Sequence, residues 1–174
     1  MAVNQFNLNA GQRAERKLLI TVAEWVEGST QVREVLGTRT EDSSIEYNAD
    51  IQTSTDILGN NYTDINKTQP QQDFDPYLIL GGSKLGAKLN DIRKRNAVSE
   101  LNQFTLYVIT AFVGTTGSYE AEKHTDCTIT YNSMGGDANV NFPISVYFSN
   151  KITNGTVNKL SDDFVFTADV SVGG

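Results

Sequence analysis

The longest regular pattern in the chain is a strict alternation from Ile45 to Ile57. Odd positions read Ile45, Tyr47, Ala49, Ile51, Thr53, Thr55 and Ile57, while every even position from Glu46 to Asp56 is polar. A period of two predicts a strand with one face on a core and the other in water. Thirteen continuous residues would reach roughly 43 Å at about 3.3 Å each. A domain of this length has a radius of gyration near ~16 Å and is about 40 Å across. Such a strand is either broken into a hairpin or projects beyond its own domain.

Other segments carry shorter signals. Lys17–Val26 fits a helical stripe through Leu18, Leu19, Val22, Trp25 and Val26, and also a strand in which Glu24 is out of place. Its β-branched residues, and a turn at Gly28-Ser29-Thr30, favour a strand followed by a second over Gln31–Thr38. Phe104–Val113 is almost wholly apolar and suits a central strand. Asp126–Met134 alternates and ends at Gly135-Gly136-Asp137. Val140, Phe142, Ile144, Val146 and Phe148 form one apolar face, with Pro143 demanding an edge or a bulge. Asn154-Gly155 reads as a hairpin turn, and Phe164–Val172 alternates again.

A single helix is predicted over residues 83–96, capped by Ser83, with Leu85, Leu89 and Ile92 on one face. Before it, Gly59–Gly82 reads as a long loop with Asp73-Phe74-Asp75-Pro76 in its middle. Loops beyond about 12–15 residues are usually functional or interface-forming. Residues 1–16, rich in Asn and Gln from Asn4 to Gln12, read as a flexible arm. The expectation is one mainly β domain over residues 1–174: two packed antiparallel sheets of seven or eight strands, a sandwich or barrel, with one flanking α-helix.

Composition agrees with folding. Leu, Ile, Val and Phe supply 45 of 174 residues, above the roughly 20% below which disorder is the better expectation. The formal charge is −7, unevenly spread. Lys84, Lys88, Arg93, Lys94 and Arg95 against Asp91 make a local +4, leaving 9 positive and 20 negative charges, a net −11, on the remainder. So acidic a surface repels phosphate and does not bind DNA through counterion release. No signal peptide or membrane span is evident, so assembly in a cytoplasm is expected.

Catalytic and cofactor signals are weak throughout. His124 and Cys127 form an H-x-x-C pair, but tetrahedral zinc takes more ligands, and a regular strand would point the two to opposite faces. A buried structural thiol is the simpler reading. The pairs Glu41-Asp42, Asp73 with Asp75, and Asp162-Asp163 lie in turn-like segments without a calcium-loop pattern. Gly81-Gly82-Ser83-Lys84 lacks phosphate-loop spacing. No catalytic residue, cofactor or metal is assigned.

The run Arg39-Thr40-Glu41-Asp42-Ser43-Ser44-Ile45-Glu46-Tyr47-Asn48, continuing through Ser54-Thr55-Asp56-Ile57-Leu58-Gly59, resembles the major tail proteins of long-tailed bacteriophages. So do Asn66-Lys67-Thr68-Gln69-Pro70, Phe74-Asp75-Pro76-Tyr77, the helix after Gly81-Gly82, and Asn132-Ser133-Met134-Gly135-Gly136-Asp137. The likeness runs from about residue 18 to residue 168 and rests on order and context. It implies a tail-tube subunit in stacked, hexameric rings, with strands of each subunit closing a barrel around a lumen through which DNA passes unbound. It also implies tape-measure and tail terminator or initiator partners, and a place in the virion tail. Inner tubes of contractile injection systems share that architecture and stay open as an alternative. On this reading Glu46, Asp50 and Asp56 are expected to face the lumen. Asp73, Phe74, Asp75, Lys84, Lys88 and Arg93 are expected at contacts between subunits. A β-sandwich surface or capsid-decoration module is the runner-up, and a β-fold hydrolase is third.

Overall fold

A computed structural model describes residues 6–170; the first five residues of the predicted arm and Val172 of the last alternation lie outside them. Strand β1 (Leu19–Glu27) turns through Gly28-Ser29 into β2 (Thr30–Val35). Gly28 has φ +63°, a conformation that costs glycine nothing. The short β3 (Ile45–Glu46) is followed by β4 (Asp50–Thr55), β5 (Asn61–Lys67) and β6 (Gln71–Phe74). Helix α1 (Lys84–Arg95) precedes the two longest strands, β7 (Phe104–Thr115) and β8 (Ser118–Tyr131). Strands β9 (Ile144–Tyr147), β10 (Ile152–Val157) and β11 (Phe166–Ala168) complete the described chain.

Nine strands form one antiparallel sheet, and β4 and β5 form a second of their own. The large sheet has two wings joined along β8. The first runs β2-β1-β7-β8-β10-β11, and the second runs β8-β9-β6-β3. No closed barrel is present within the described residues.

β8 belongs to both wings because it carries a bulge. Phe104 and Leu106 of β7 face Cys127 and His124, so two steps on one strand meet three on the other. Asp126, at φ +55°, takes the extra residue. Its carboxylate pairs with Lys151, and around it the corner between β9 and β10 is stitched down. His124 Nδ1 lies 3.1 Å from Ser149 O, Ser149 N donates to Cys127 Sγ at 3.3 Å, and the Ser149 hydroxyl donates to Thr125 O.

One core fills the space between the wings and α1: Trp25, Phe74, Leu85, Leu89, Ile92, Phe104, Leu106, Ile129, Phe142 and Ile144 all belong to it. The helix forms where its sequence predicts. Ser83 Oγ accepts from Gly86 N at 3.2 Å, and Asn96, at φ +53°, ends it in the left-handed conformation. Leu85, Leu89 and Ile92 are fully buried, each contributing about 1.5–3 kcal/mol by burial. Glu34 of β2 adds a second cap, accepting from Leu85 N at 2.9 Å while also accepting from the Tyr77 hydroxyl at 2.9 Å. A smaller cluster lies on the other face of the first wing, where Tyr107 meets Phe164 edge-on at 4.9 Å. Arg33 lies over that Phe164 ring at 4.2 Å and pairs with Glu24. Burial, then the Glu24 charge, pushes the Tyr107 phenol up to about 12.

Four sequence expectations need correction. The alternation Ile45–Ile57 is no single strand on a core: Asn48, at φ +46°, breaks it, and β4 beyond the break is exposed at every residue. Gly59–Gly82 is no loop, since it holds β5 and β6. Asn154-Gly155 is no turn but lies within β10, where a Cβ on Gly155 would come within 2.2 Å of Thr167 O. Glycine there permits close approach of β11. Phe74 is a core residue, 2% exposed, because β6 pairs with β9 and turns that ring inward. Phe74→Ala is therefore expected to lower stability by about 3–5 kcal/mol. The neighbouring Asp73→Ala should stay within ~0.5 kcal/mol of wild type. Urea unfolding of both variants measures the difference.

Candidate subunit interface

The β4–β5 hairpin is the part of the molecule with nothing of its own to rest on. Both strands pair only with each other, and all their residues are exposed. Isolated two-stranded hairpins are marginal in water, so this one is built by local chemistry. Asp56 folds the turn: its carboxylate accepts from Leu58 N at 2.8 Å, Asn60 N at 2.9 Å and Asn60 Nδ2 at 3.1 Å. The hydrogen bonds from Asn60, the backbone one foremost, hold that carboxyl below its ordinary range. Gly59, at φ +84°, completes the turn. At the root, Gln69 N donates to Tyr47 O at 2.9 Å.

The two faces of the hairpin differ in charge. Cross-strand pairs Ile51–Ile65, Thr53–Thr63 and Thr55–Asn61 give one face without an ionisable group. The other carries Gln52, Ser54, Tyr62 and Asp64. Ile57 and Leu58 stand at the tip, 103% and 81% exposed. A sequence signal for this hairpin existed: polar, turn-forming Asp56 and Gly59 close the alternating run and precede Tyr62, Thr63 and Ile65, residues that favour strands. The core-facing reading of the first run hid it.

The three expected lumen positions and the six expected subunit contacts separate. Glu46 lies on β3, Asp50 at the hairpin root within 3.3 Å of Asn66 Nδ2, and Asp56 at its far end. Glu46 thus belongs to the large sheet while Asp50 and Asp56 mark the two ends of the hairpin, and the three are not gathered in a site. Asp73 and Asp75 are exposed beside the second wing, Asp75 accepting from Asn141 Nδ2 at 3.0 Å. Arg93 is exposed and donates to Asn90 Oδ1 at 2.9 Å. Lys84 and Lys88 are engaged within the subunit, with Asp162 at 2.8 Å and Glu100 at 2.9 Å, and Phe74 is internal.

His124 and Cys127 lie on the same face, contrary to the regular-strand expectation, because the Asp126 bulge shifts the alternation between them. Their environment is structural. His124 packs edge-on to Phe148 at 5.1 Å, and burial pushes the Cys127 thiol up. Among the described residues no three His, Cys, Asp or Glu side chains come together as metal ligands. No helix among them is long and apolar enough to cross a membrane.

No protein-family model matches the chain, and no curated protein sequence does. Among solved structures, a chain of the anti-feeding prophage cap (the AFP tube-terminating cap) matches with TM-score 0.50 and 14% identity, over 90% of this chain and 99% of that one. Chains from two other assemblies match more loosely. One is the sheath–tube complex of the PVC extracellular contractile injection system in its extended state, with TM-score 0.43 and 10% identity over 91% and 94% of the two chains. The other is the six-fold symmetrised AFP baseplate, with TM-score 0.42 and 6% identity over 92% and 97%. At 14% identity, what is shared with the cap chain is the fold.

The ion network beside α1 has a defined acid limit. Arg95 first, then Lys88, hold the Glu100 carboxyl at about 2. With its folded value depressed, its contribution is complete above the ordinary value of 4.5 and is lost as pH falls from there towards 2. In a carboxyl NMR titration, Glu100 should titrate well below the ordinary glutamate value of 4.5, and Lys88→Met should move it upward.

Proposed function

We propose that this chain is a structural subunit of a tail tube, in a bacteriophage or a phage-like particle, and assembles into stacked rings. The observation that carries the reading is the β4–β5 hairpin, a projecting sheet that buries nothing on its own subunit. An element of that kind is completed by another chain. A second copy is the simplest partner, and head-to-tail contacts of this sort generate rings or filaments. The fold shared with a tube-terminating cap supports the same class. It also favours the tube or cap of a contractile injection system as a second reading beside the long-tailed phage tube.

The rings are hexameric on the family resemblance, with tape-measure and terminator or initiator proteins as further partners and the host cytoplasm as the place of assembly. Glu46 and Asp50 line the lumen in this proposal, where negative charge lets DNA pass without being held. Negative-stain electron microscopy of the concentrated protein should show hollow rings or tubes, and compact monomers would count against the class. Replacing residues 51–65 by a short Gly-Ser linker should leave a folded monomer that no longer polymerises, as read by circular dichroism and light scattering. Normal tubes from that variant would refute the role of the hairpin. In an assembled phage, Glu46→Lys with Asp50→Lys should slow DNA ejection, with Asp56 left in place because it folds the turn. Unchanged ejection would remove these two from the lumen.

A further inference from the structure

A recess opens beside β6, next to the β3–β6 pair from which the hairpin departs. It has a volume of about 490 Å³, and its walls include Leu19, Ile20, Val35, Leu36 and Phe74. Its floor is polar but closed. Thr21 Oγ1 donates to Gln72 Oε1 at 2.7 Å, Gln72 Nε2 donates to Ser43 Oγ at 3.1 Å, and Ser43 Oγ donates to Asp73 O at 2.6 Å. Every buried polar group of that chain already has a partner, so the recess asks for an apolar occupant rather than a polar ligand. Arg16, whose guanidinium donates to Leu19 O and Ser43 O, stands in its wall with Glu41 and with Lys17, which pairs with Glu15 at 2.7 Å, so Arg16 is the cation there left to attract an acidic segment.

Resting on the assembly reading above, we propose that this recess receives the hairpin tip of the next copy, with Ile57 and Leu58 inserted and Asp56 meeting Arg16. The tip combines the features the recess calls for. Ile57 and Leu58 are large apolar side chains held out in water, and the adjacent Asp56 stays ionised because the turn amides hold its carboxyl low. A subunit cannot fill its own recess. The six residues of β4 carry the tip about 20 Å from the root at ~3.3 Å per residue, and the recess shares β6 with that root. Donor and acceptor therefore lie on different surfaces of each copy. Such a contact is heterologous, and it propagates into a ring or a stack instead of closing as a two-fold dimer.

Paired cysteines test it. Thr38 is exposed and lies in the wall of the recess, while the native Cys127 is buried. Oxidation of assembled Thr38→Cys/Leu58→Cys protein should give a ladder of linked oligomers beyond the dimer on a non-reducing gel, as docked Cα atoms within about 7 Å permit. Either single variant should stop at dimers. Ile57→Asp/Leu58→Asp and the recess-blocking Thr38→Trp should each remain folded by circular dichroism and fail to assemble. If the double-cysteine tubes give no ladder, or if Thr38→Trp assembles normally while the tip variant does not, the tip docks elsewhere. The recess proposal is then overturned and the tube reading stands. If the wild-type protein forms no rings at all, the tube reading itself fails first.

Discussion

The extra residue in β8 is the constraint on which the architecture depends. Without Asp126 in the left-handed conformation, β8 would continue one sheet from Ser118 to Tyr131 and present alternate faces throughout. With it, the strand trades β10 for β9 as its outer partner, and the second wing turns to enclose a core with α1. The hydrogen bonds around Ser149 and the Asp126–Lys151 pair hold the corner that makes this exchange possible. His124 and Cys127, which look like the start of a metal or catalytic pair, are consumed in that corner.

Within the subunit, electrostatics is settled locally. Glu24 is out of register with the apolar face of β1 as sequence, yet it is 5% exposed and matched by Arg33. Gln72, 1% exposed, is held by Thr21 and Ser43. Among the described residues no buried polar side-chain atom lacks a partner.

Elements whose signals are local were legible in the sequence. Ser83 and the Leu85–Leu89–Ile92 stripe define α1 almost to the residue, because a cap and a repeat are properties of neighbours along the chain. The β-branched character of β1 likewise sufficed. Elements fixed by distant partners were not. β6 was hidden because Gln71-Gln72-Asp73 is polar, and only the cross-chain hydrogen bonds of Gln72 explain its burial. Gly155 reads as a turn until β11 is seen passing over it. The hairpin shows the limit of periodicity most clearly. Alternation reports that a strand has two different faces, but it does not report whether the covering surface belongs to the same chain. Among the six expected subunit contacts, Phe74 is internal and Lys84 and Lys88 pair with Asp162 and Glu100, partners that no local pattern reports.

The management of strand edges points in the same direction. Within the large sheet, β2 is overlain by α1 and engaged by its Glu34 cap, while β3 and β11 are two and three residues long. Short or covered edges resist unwanted pairing. The β4–β5 sheet has none of these protections: two long exposed strands, one face without charge, and an apolar tip. A chain that guards its other edges and leaves this one open has concentrated its capacity for association in one place. Asp56 is the staple that keeps this hairpin formed, its carboxylate taking the amides of Leu58 and Asn60 at the turn.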